Sequence, residues 1–313
     1  MSRGTVLVTD KVHPLLLKGF KEAGFEYDYR PKVSLDIVRG IIQDYEGIII
    51  NSKILVDKYL LDKAVKLKFV GRLGSGMEIV DQVYAKQKGV YVASAPEGNR
   101  NAVGEHALGM LLALANNFLK GDRSVRKKHW DRESNRGFEL MGKTVGIIGF
   151  GHAGNSFAQK LAGMNVEILS YDKYKAYYTE GSNYIRAVEM QEIFEKADIL
   201  SLHLPLTEET KYLVDDAFIN KFAKNIILIN TSRGKVVKTT SLINGLKNGK
   251  IKGACLDVFE NEKPHLFTEN EHKTYDELYT FDNVIMTPHV AGWTVESLER
   301  LARTVLEKIL RNI

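Results

Sequence analysis

Apolar residues fall in short runs along the first part of the chain: "TVLV" (5–8), "GIII" (47–50), "LKFVG" (67–71) and "VYV" (90–92). Between them lie stretches such as "HPLLLKGFKEAG" (13–24), whose apolar positions recur at helical spacing. Short strands alternating with helices predict a parallel sheet with helices on its faces. The rhythm breaks from 97 to 141, which reads as mostly helix and includes "ALGMLLALA" from Ala107. It resumes at "KTVGIIGFG" (143–151) and continues through "VEILSYD", "DILSLHLP", "NIILIN", "GACLDVF" and "VIMTPH". A long amphipathic stretch, "TVESLERLARTVLEKILRNI", closes the chain. No repeat, low-complexity tract or flexible linker interrupts the pattern. The prediction is two α/β units, the second starting near mid-chain.

Composition narrows the class without changing this picture. The 313 residues, enough for about two domains, are 44% hydrophobic and 27% charged with six prolines, as in a folded globular protein. The net charge of +5 is spread thinly. Its densest basic run, "RSVRKKHWDR" from Arg123, is broken by a tryptophan and an aspartate and reads as a solvated helix face. No nucleic-acid partner is expected. The longest apolar run is about half of what spans a bilayer, and the first residues enter a strand pattern with no signal segment, so no membrane partner is expected either. The single cysteine, Cys255 in "KGACLDV", rules out an internal disulfide framework and reads as a buried core thiol. Cytoplasmic residence is the expectation, and no metal site is predicted.

Chemistry enters with "GIIGFGHAGNSFAQKL", which contains Gly149-x-Gly151-His152-Ala153-Gly154 between an apolar strand and a helix. In that setting the first glycine makes a tight turn, the second admits a pyrophosphate and the third allows close helix packing. The helix N-terminus supplies N–H donors and the positive dipole end. Asp172 ends the next strand, where a carboxylate can bond the ribose 2′-hydroxyl of NAD and repel a 2′-phosphate; Lys173 beside it weakens that repulsion. NAD is the cofactor this segment predicts.

Hydride transfer to a ketone needs an acid for the developing alkoxide, a cation for the substrate, and a group that tunes the acid. Three later strand ends could supply them. "NTSRG" offers Arg233, "DVFENEKPH" offers Asp257, Glu260 and Glu262, and "TPHVAGW" offers His289. Ligand chemistry collects at the carboxyl ends of strands in an open parallel sheet, so the three loops could converge.

These stretches, together with "GRLGSGMEIVD", "GNRNAVGEHALGMLLAL", "HLPLTEET" and "NVIMTPHVAGWT", resemble the D-isomer-specific 2-hydroxyacid dehydrogenases over essentially the whole chain. The resemblance implies two doubly wound parallel-sheet domains: a Rossmann NAD domain (96–288) inserted into a flavodoxin-like substrate domain (1–95 and 289–313), with homodimers formed through the NAD domain. It implies that Arg233 grips the substrate's carboxylate and carbonyl, that His289 is the acid–base, and that Glu262 is its carboxylate partner. Glu260 then reads as a solvated neighbour, and Asp257 as the contact to the nicotinamide amide. Backbone N–H groups of Ser75 and Gly76 would meet the substrate carboxylate, and Asn99 would lie near the active site. Leu204, Pro205, Thr231 and Gly292 would line the cofactor site. Lys263 stands as an extra residue between Glu262 and Pro264.

For the acid itself, "GNRNAVGEH" and "TPHVAGWT" lean towards 3-phosphoglycerate dehydrogenases, which open serine biosynthesis. Phosphate recognition would need cations in the first domain. In "IINSKILV", however, Asn51 stands where an arginine is expected, leaving Lys53 as the positive charge. A lysine can hold a phosphate as a point charge but not bidentately. A glyoxylate/hydroxypyruvate or D-lactate type reductase is the alternative, and an NAD-sensing corepressor-like scaffold is one of a different class. With the sequence ending at Ile313, a regulatory serine-binding domain and feedback by serine are not expected.

Overall fold

The computed structural model describes residues 3–176, 178–179 and 182–313. The chain forms two compact units, Met1–Arg100 with Trp293–Ile313, and Asn101–Gly292. The expected boundaries at 95/96 and 288/289 are displaced by a few residues, for two local reasons. Pro96–Ala115 is one continuous helix, so the first division falls inside it. Residues 287–291 are stitched to Asp257, which keeps His289 with the central unit.

The first unit is a five-stranded parallel sheet: β1 (Thr5–Val8), β2 (Glu26–Tyr29), β3 (Gly47–Ile50), β4 (Phe69–Arg72) and β5 (Tyr91–Ser94), in the order β2-β1-β3-β4-β5. Reversal of strand order between β1 and β3 makes this a doubly wound sheet of the flavodoxin type. Central strands are buried on both faces, which is why "TVLV" and "GIII" read as unbroken apolar runs. On one face Leu7, Ile48, Ile50 and Val70 pack with Val38, Leu60 and Leu61 from the covering helices. On the other, Val8, Ile49 and Phe69 meet Phe20 and the buried stripe Leu301, Ala302, Val305 and Ile309 of helix Val295–Asn312. Each such Val, Leu, Ile or Phe side chain contributes about 1.5–3 kcal/mol relative to exposure. Gly71 lets that helix approach, since a Cβ there would stand 2.8 Å from Val305 Cγ1.

The central unit is a seven-stranded sheet, again all parallel: β6 (Thr144–Ile148), β7 (Glu167–Tyr171), β8 (Ile185–Ala187), β9 (Ile199–Leu202), β10 (Ile226–Asn230), β11 (Ile251–Leu256) and β12 (Val284–Met286). Their order is β12-β11-β10-β9-β6-β7-β8, the Rossmann arrangement, with its switch point between β6 and β9. Alternate strand residues feed two cores. One contains Ile147, Ile229 and Cys255 under Met110, Leu111 and Leu114; the other contains Ile148, Leu228 and Leu256.

The expected helical span 97–141 is helical only in part. Asn117 takes a left-handed conformation (φ 52°) between Pro96–Ala115 and a second helix, Phe118–Arg126. That second helix buries no residue, and beyond it residues 127–143 are irregular.

Candidate active site

The fingerprint glycines of the central unit act in three different ways. Gly149 has φ 89°, and a Cβ on it would lie 2.4 Å from the His203 carbonyl oxygen. Gly154 packs so tightly that a Cβ would sit 2.1 Å from the Gly149 carbonyl oxygen. Gly151 is the opposite case, because a Cβ there would meet open space. No side chain caps helix His152–Leu161, which starts directly after Gly151. A turn locked on both sides, open above its middle glycine and backed by an uncapped helix start, fits a dinucleotide pyrophosphate. Asp172 directs one carboxylate oxygen to the Phe150 N–H (2.8 Å) and the other to the Tyr174 N–H (3.1 Å). Each oxygen retains capacity for a further donor such as a ribose hydroxyl.

Two buried polar atoms stand at neighbouring strand ends. Thr231 Oγ1 and His203 Nδ1, just after β10 and β9, are among the few buried side-chain atoms with no partner among the described residues. Burial pushes the His203 imidazole down to about 4, so the ring is neutral and its Nε2 engages Ser201 Oγ at 2.9 Å. Orphaned polar atoms inside a folded protein call for a ligand or water, and these two sit at the edge where the cofactor residues Leu204, Pro205 and Thr231 were expected.

The Arg233 loop is built by its neighbours. Asn230 Oδ1 accepts from the Ser232 N–H (3.1 Å) and hydroxyl (2.8 Å), while its Nδ2 donates to the Arg233 carbonyl (3.0 Å). Gly234 then passes so close to the loop after β11 that a Cβ would lie 1.8 Å from the Phe259 carbonyl oxygen. Only glycine permits this approach, which brings the backbone of the arginine loop against that of the glutamate loop. One Arg233 guanidinium nitrogen donates to the Ser232 carbonyl at 2.7 Å.

The three acids of "DVFENEKPH" separate by environment. Asp257 is wholly buried; Thr287 Oγ1 (2.6 Å), the Val290 N–H (2.8 Å) and the Ala291 N–H (2.8 Å) all donate to it. This carboxylate holds the loop that carries His289, whose amides would otherwise be buried without acceptors. Glu260 is not a solvated neighbour. It is half-buried and accepts the Thr239 N–H at 2.6 Å at the start of helix Thr239–Lys247, and the Tyr212 hydroxyl bonds it too. Glu262 Oε2 lies 2.8 Å from His289 Nδ1, with Lys263 accommodated by its N–H donating to Asn261 Oδ1 at 3.0 Å.

His289 itself has φ 56°, a left-handed conformation uncommon outside glycine and enriched at functional sites. Its hydrogen bond with Glu262 is the main reason its imidazole is held above the ordinary value; burial opposes this, and the charges of Glu262 and Asp257 add to it. For Glu262, burial pushes the carboxyl up, but the bond and charge of His289, with help from the Phe259 N–H and Arg233, leave it below the ordinary value. Glu262 engages Nδ1, which leaves Nε2 as the ring nitrogen not bonded to the glutamate.

In the first unit, Ser75 Oγ donates to Asn99 Oδ1 at 2.8 Å, linking two of the residues expected on the substrate side; Gly76 is buried beside them in sequence. Lys53 is engaged. Its ammonium donates to the Pro31 carbonyl (2.7 Å) and stands 3.8 Å from Asp10, whose other oxygen accepts the Asn51 N–H (2.9 Å). Among the described residues, no group of three His, Cys, Asp or Glu side chains is placed to hold a metal ion.

Residues 108–291 match the family described as "D-isomer specific 2-hydroxyacid dehydrogenase, NAD binding domain". The chain belongs to that family. NAD is its cofactor, and the open space above Gly151 together with the orphaned Thr231 hydroxyl fits such a ligand. The chain is 33% identical over 309 residues to a D-3-phosphoglycerate dehydrogenase of Methanocaldococcus jannaschii, covering 98% of this chain and 57% of that protein. It therefore spans little more than half the length of that relative. It is 34% identical over 276 residues to a glyoxylate reductase of Pyrococcus furiosus, covering 86% of this chain and 80% of that one. Among solved structures, a D-lactate dehydrogenase from Aquifex aeolicus, complexed with NAD and lactic acid, superposes with a TM-score of 0.84 at 27% identity. That match covers 97% of this chain and 94% of the other.

Within this family member, three structural residues of the site escape a motif-based reading. Gly234 and Asn230 flank Arg233 and shape its loop, as described above. His106, on helix Pro96–Ala115, places Nε2 3.0 Å from Thr287 Oγ1 and 3.6 Å from Asp257. A histidine amid the apolar run "GEHALGM" was the available signal.

Proposed function

We propose that this chain interconverts a D-2-hydroxy acid and its 2-keto acid with NAD. The observation that carries the reading is the 2.8 Å contact between Glu262 Oε2 and His289 Nδ1. NADH, when bound, supplies the hydride. Arg233 holds the substrate's carboxylate and polarises its carbonyl, and its planar fork suits that bidentate grip. His289, kept protonated by Glu262, gives its Nε2 proton to the oxygen that gains negative charge. In oxidation the neutral imidazole takes the proton back.

Which acid is used divides two readings. Relatives named D-3-phosphoglycerate dehydrogenase support 3-phosphoglycerate and an entry role in serine biosynthesis. Lys53 favours the second reading, a short unphosphorylated acid such as glyoxylate, hydroxypyruvate or pyruvate. With Asn51 beside it and its ammonium engaged by Pro31 and Asp10, it is a poor point charge for phosphate. Turnover of phosphohydroxypyruvate, hydroxypyruvate, glyoxylate and pyruvate with NADH tests both. Hydroxypyruvate or glyoxylate is expected to exceed the phosphorylated acid. No turnover of any, with NADH still bound, would favour the corepressor-like scaffold.

A homodimer through the NAD-binding unit is part of this proposal. Phe118, Leu119, Val125, Trp130 and Met141 of that unit, all between positions 118 and 141, are exposed large apolar side chains, which supports an interface there. Light scattering on the eluting protein tests it, a monomer being the contrary result. No helix of the described residues is long and apolar enough to cross a membrane. The single buried cysteine supports residence in a reducing cytoplasm.

A further inference from the structure

After β7 the chain reads Asp172-Lys173-Tyr174-Lys175, one carboxylate followed by two lysines and a phenol. The acid disfavours a ribose 2′-phosphate, whereas the two ammonium groups would welcome it. On charge alone the segment would be ambivalent. In the structure each cation is already engaged. Glu209, in the loop after β9, accepts the Lys173 ammonium on one carboxylate oxygen and the Tyr174 hydroxyl on the other. Lys175 Nζ donates to the Phe150 carbonyl at 2.8 Å, inside the fingerprint loop. Because β6 lies between β7 and β9 in the sheet, Glu209 joins the two loops that flank the fingerprint.

We infer that Glu209 is a specificity-determining residue for NAD over NADP: it neutralises Lys173 and holds it and Tyr174 away from service to a 2′-phosphate, leaving Asp172 to set the preference. The Lys173 and Tyr174 bonds hold the Glu209 carboxyl below its ordinary range, so it stays charged throughout the neutral range. Lys173 is held above its own ordinary value by the same bond. The inference rests on Asp172 facing the adenosine ribose.

The test is direct binding, so that it does not depend on the reaction. NADH and NADPH are titrated by fluorescence into the wild type, Glu209→Gln, and Glu209→Gln with Lys173→Ala. The wild type is expected to bind NADH at least about tenfold more tightly, the range of one unfavourable charge contact. Glu209→Gln should tighten NADPH by about fivefold while NADH moves by less than about twofold, the scale of one exposed ion pair released. Adding Lys173→Ala should cancel the gain. An unchanged NADPH affinity in Glu209→Gln, or a gain that survives Lys173→Ala, overturns the role of Glu209. Binding of neither nucleotide by the wild type would overturn the cofactor site itself and this inference with it.

Discussion

Asp257 holds the Ala291 amide at 2.8 Å from the fully buried end of β11, two residues beyond the histidine it helps to place. With Val290 on its other oxygen, this carboxylate fixes the backbone that keeps His289 in its left-handed conformation. Asp257→Asn should turn one of these contacts into a clash of two donors. A loss of about 1–3 kcal/mol follows from leaving a buried donor unsatisfied, to be read from urea unfolding. Stability equal to the wild type would remove Asp257 from this role.

The Glu262–His289 pair sets a pH dependence whose sign is fixed. His289 is held above its ordinary 6.5, so reduction, which needs the imidazolium, should be favoured below the raised value and decline as pH climbs through it. For stability, the gain from the histidine is complete below 6.5 and fades as pH rises through the folded value. That from Glu262, held below 4.5, is complete above 4.5 and fades as pH falls through its lowered value. Both side chains are substantially exposed, so the stability effect is small. Glu262→Gln should move the decline in kcat/KM for reduction to lower pH. Glu260→Gln should leave the profile in place and cost about 1 kcal/mol through its helix-start contact. A profile moved by Glu260→Gln and not by Glu262→Gln would reverse the two assignments.

Gly234→Ala tests whether the arginine loop depends on close backbone approach. A methyl 1.8 Å from the Phe259 carbonyl oxygen must push two loops apart. The expected outcome is about 1–3 kcal/mol of lost stability from overpacking and a kcat/KM lowered by about tenfold or more, since misplacing a positioning group is costly. An alanine variant with wild-type kinetics would show that Arg233 does not need this approach.

Much of this architecture was readable from pattern alone, because β1, β3, β6, β9 and β10 are buried on both faces and are made mostly of apolar residues. Two of the edge strands were not. "EYDY" of β2 and "IRA" of β8 are largely exposed and lack the apolar signal. In the site, Glu262 could be matched to His289 because the resemblance to the family implied that pairing. Glu260 could not be read, since its partners Thr239 and Tyr212 are distant in sequence and meet it only in the fold. Asp257 was legible as important but not as a clamp, because its acceptor role depends on amides that sit more than thirty positions along the chain.

In the proposed reaction His289 is the proton donor of an NAD-linked 2-keto acid reduction. Its most direct test is His289→Gln, assayed for reduction of the best 2-keto acid alongside fluorescence titration of NADH. The expected result is a kcat lowered by about 10²-fold or more, the scale of general acid–base catalysis, with NADH affinity nearly unchanged. Retained turnover in the variant would contradict it and assign the proton to another group.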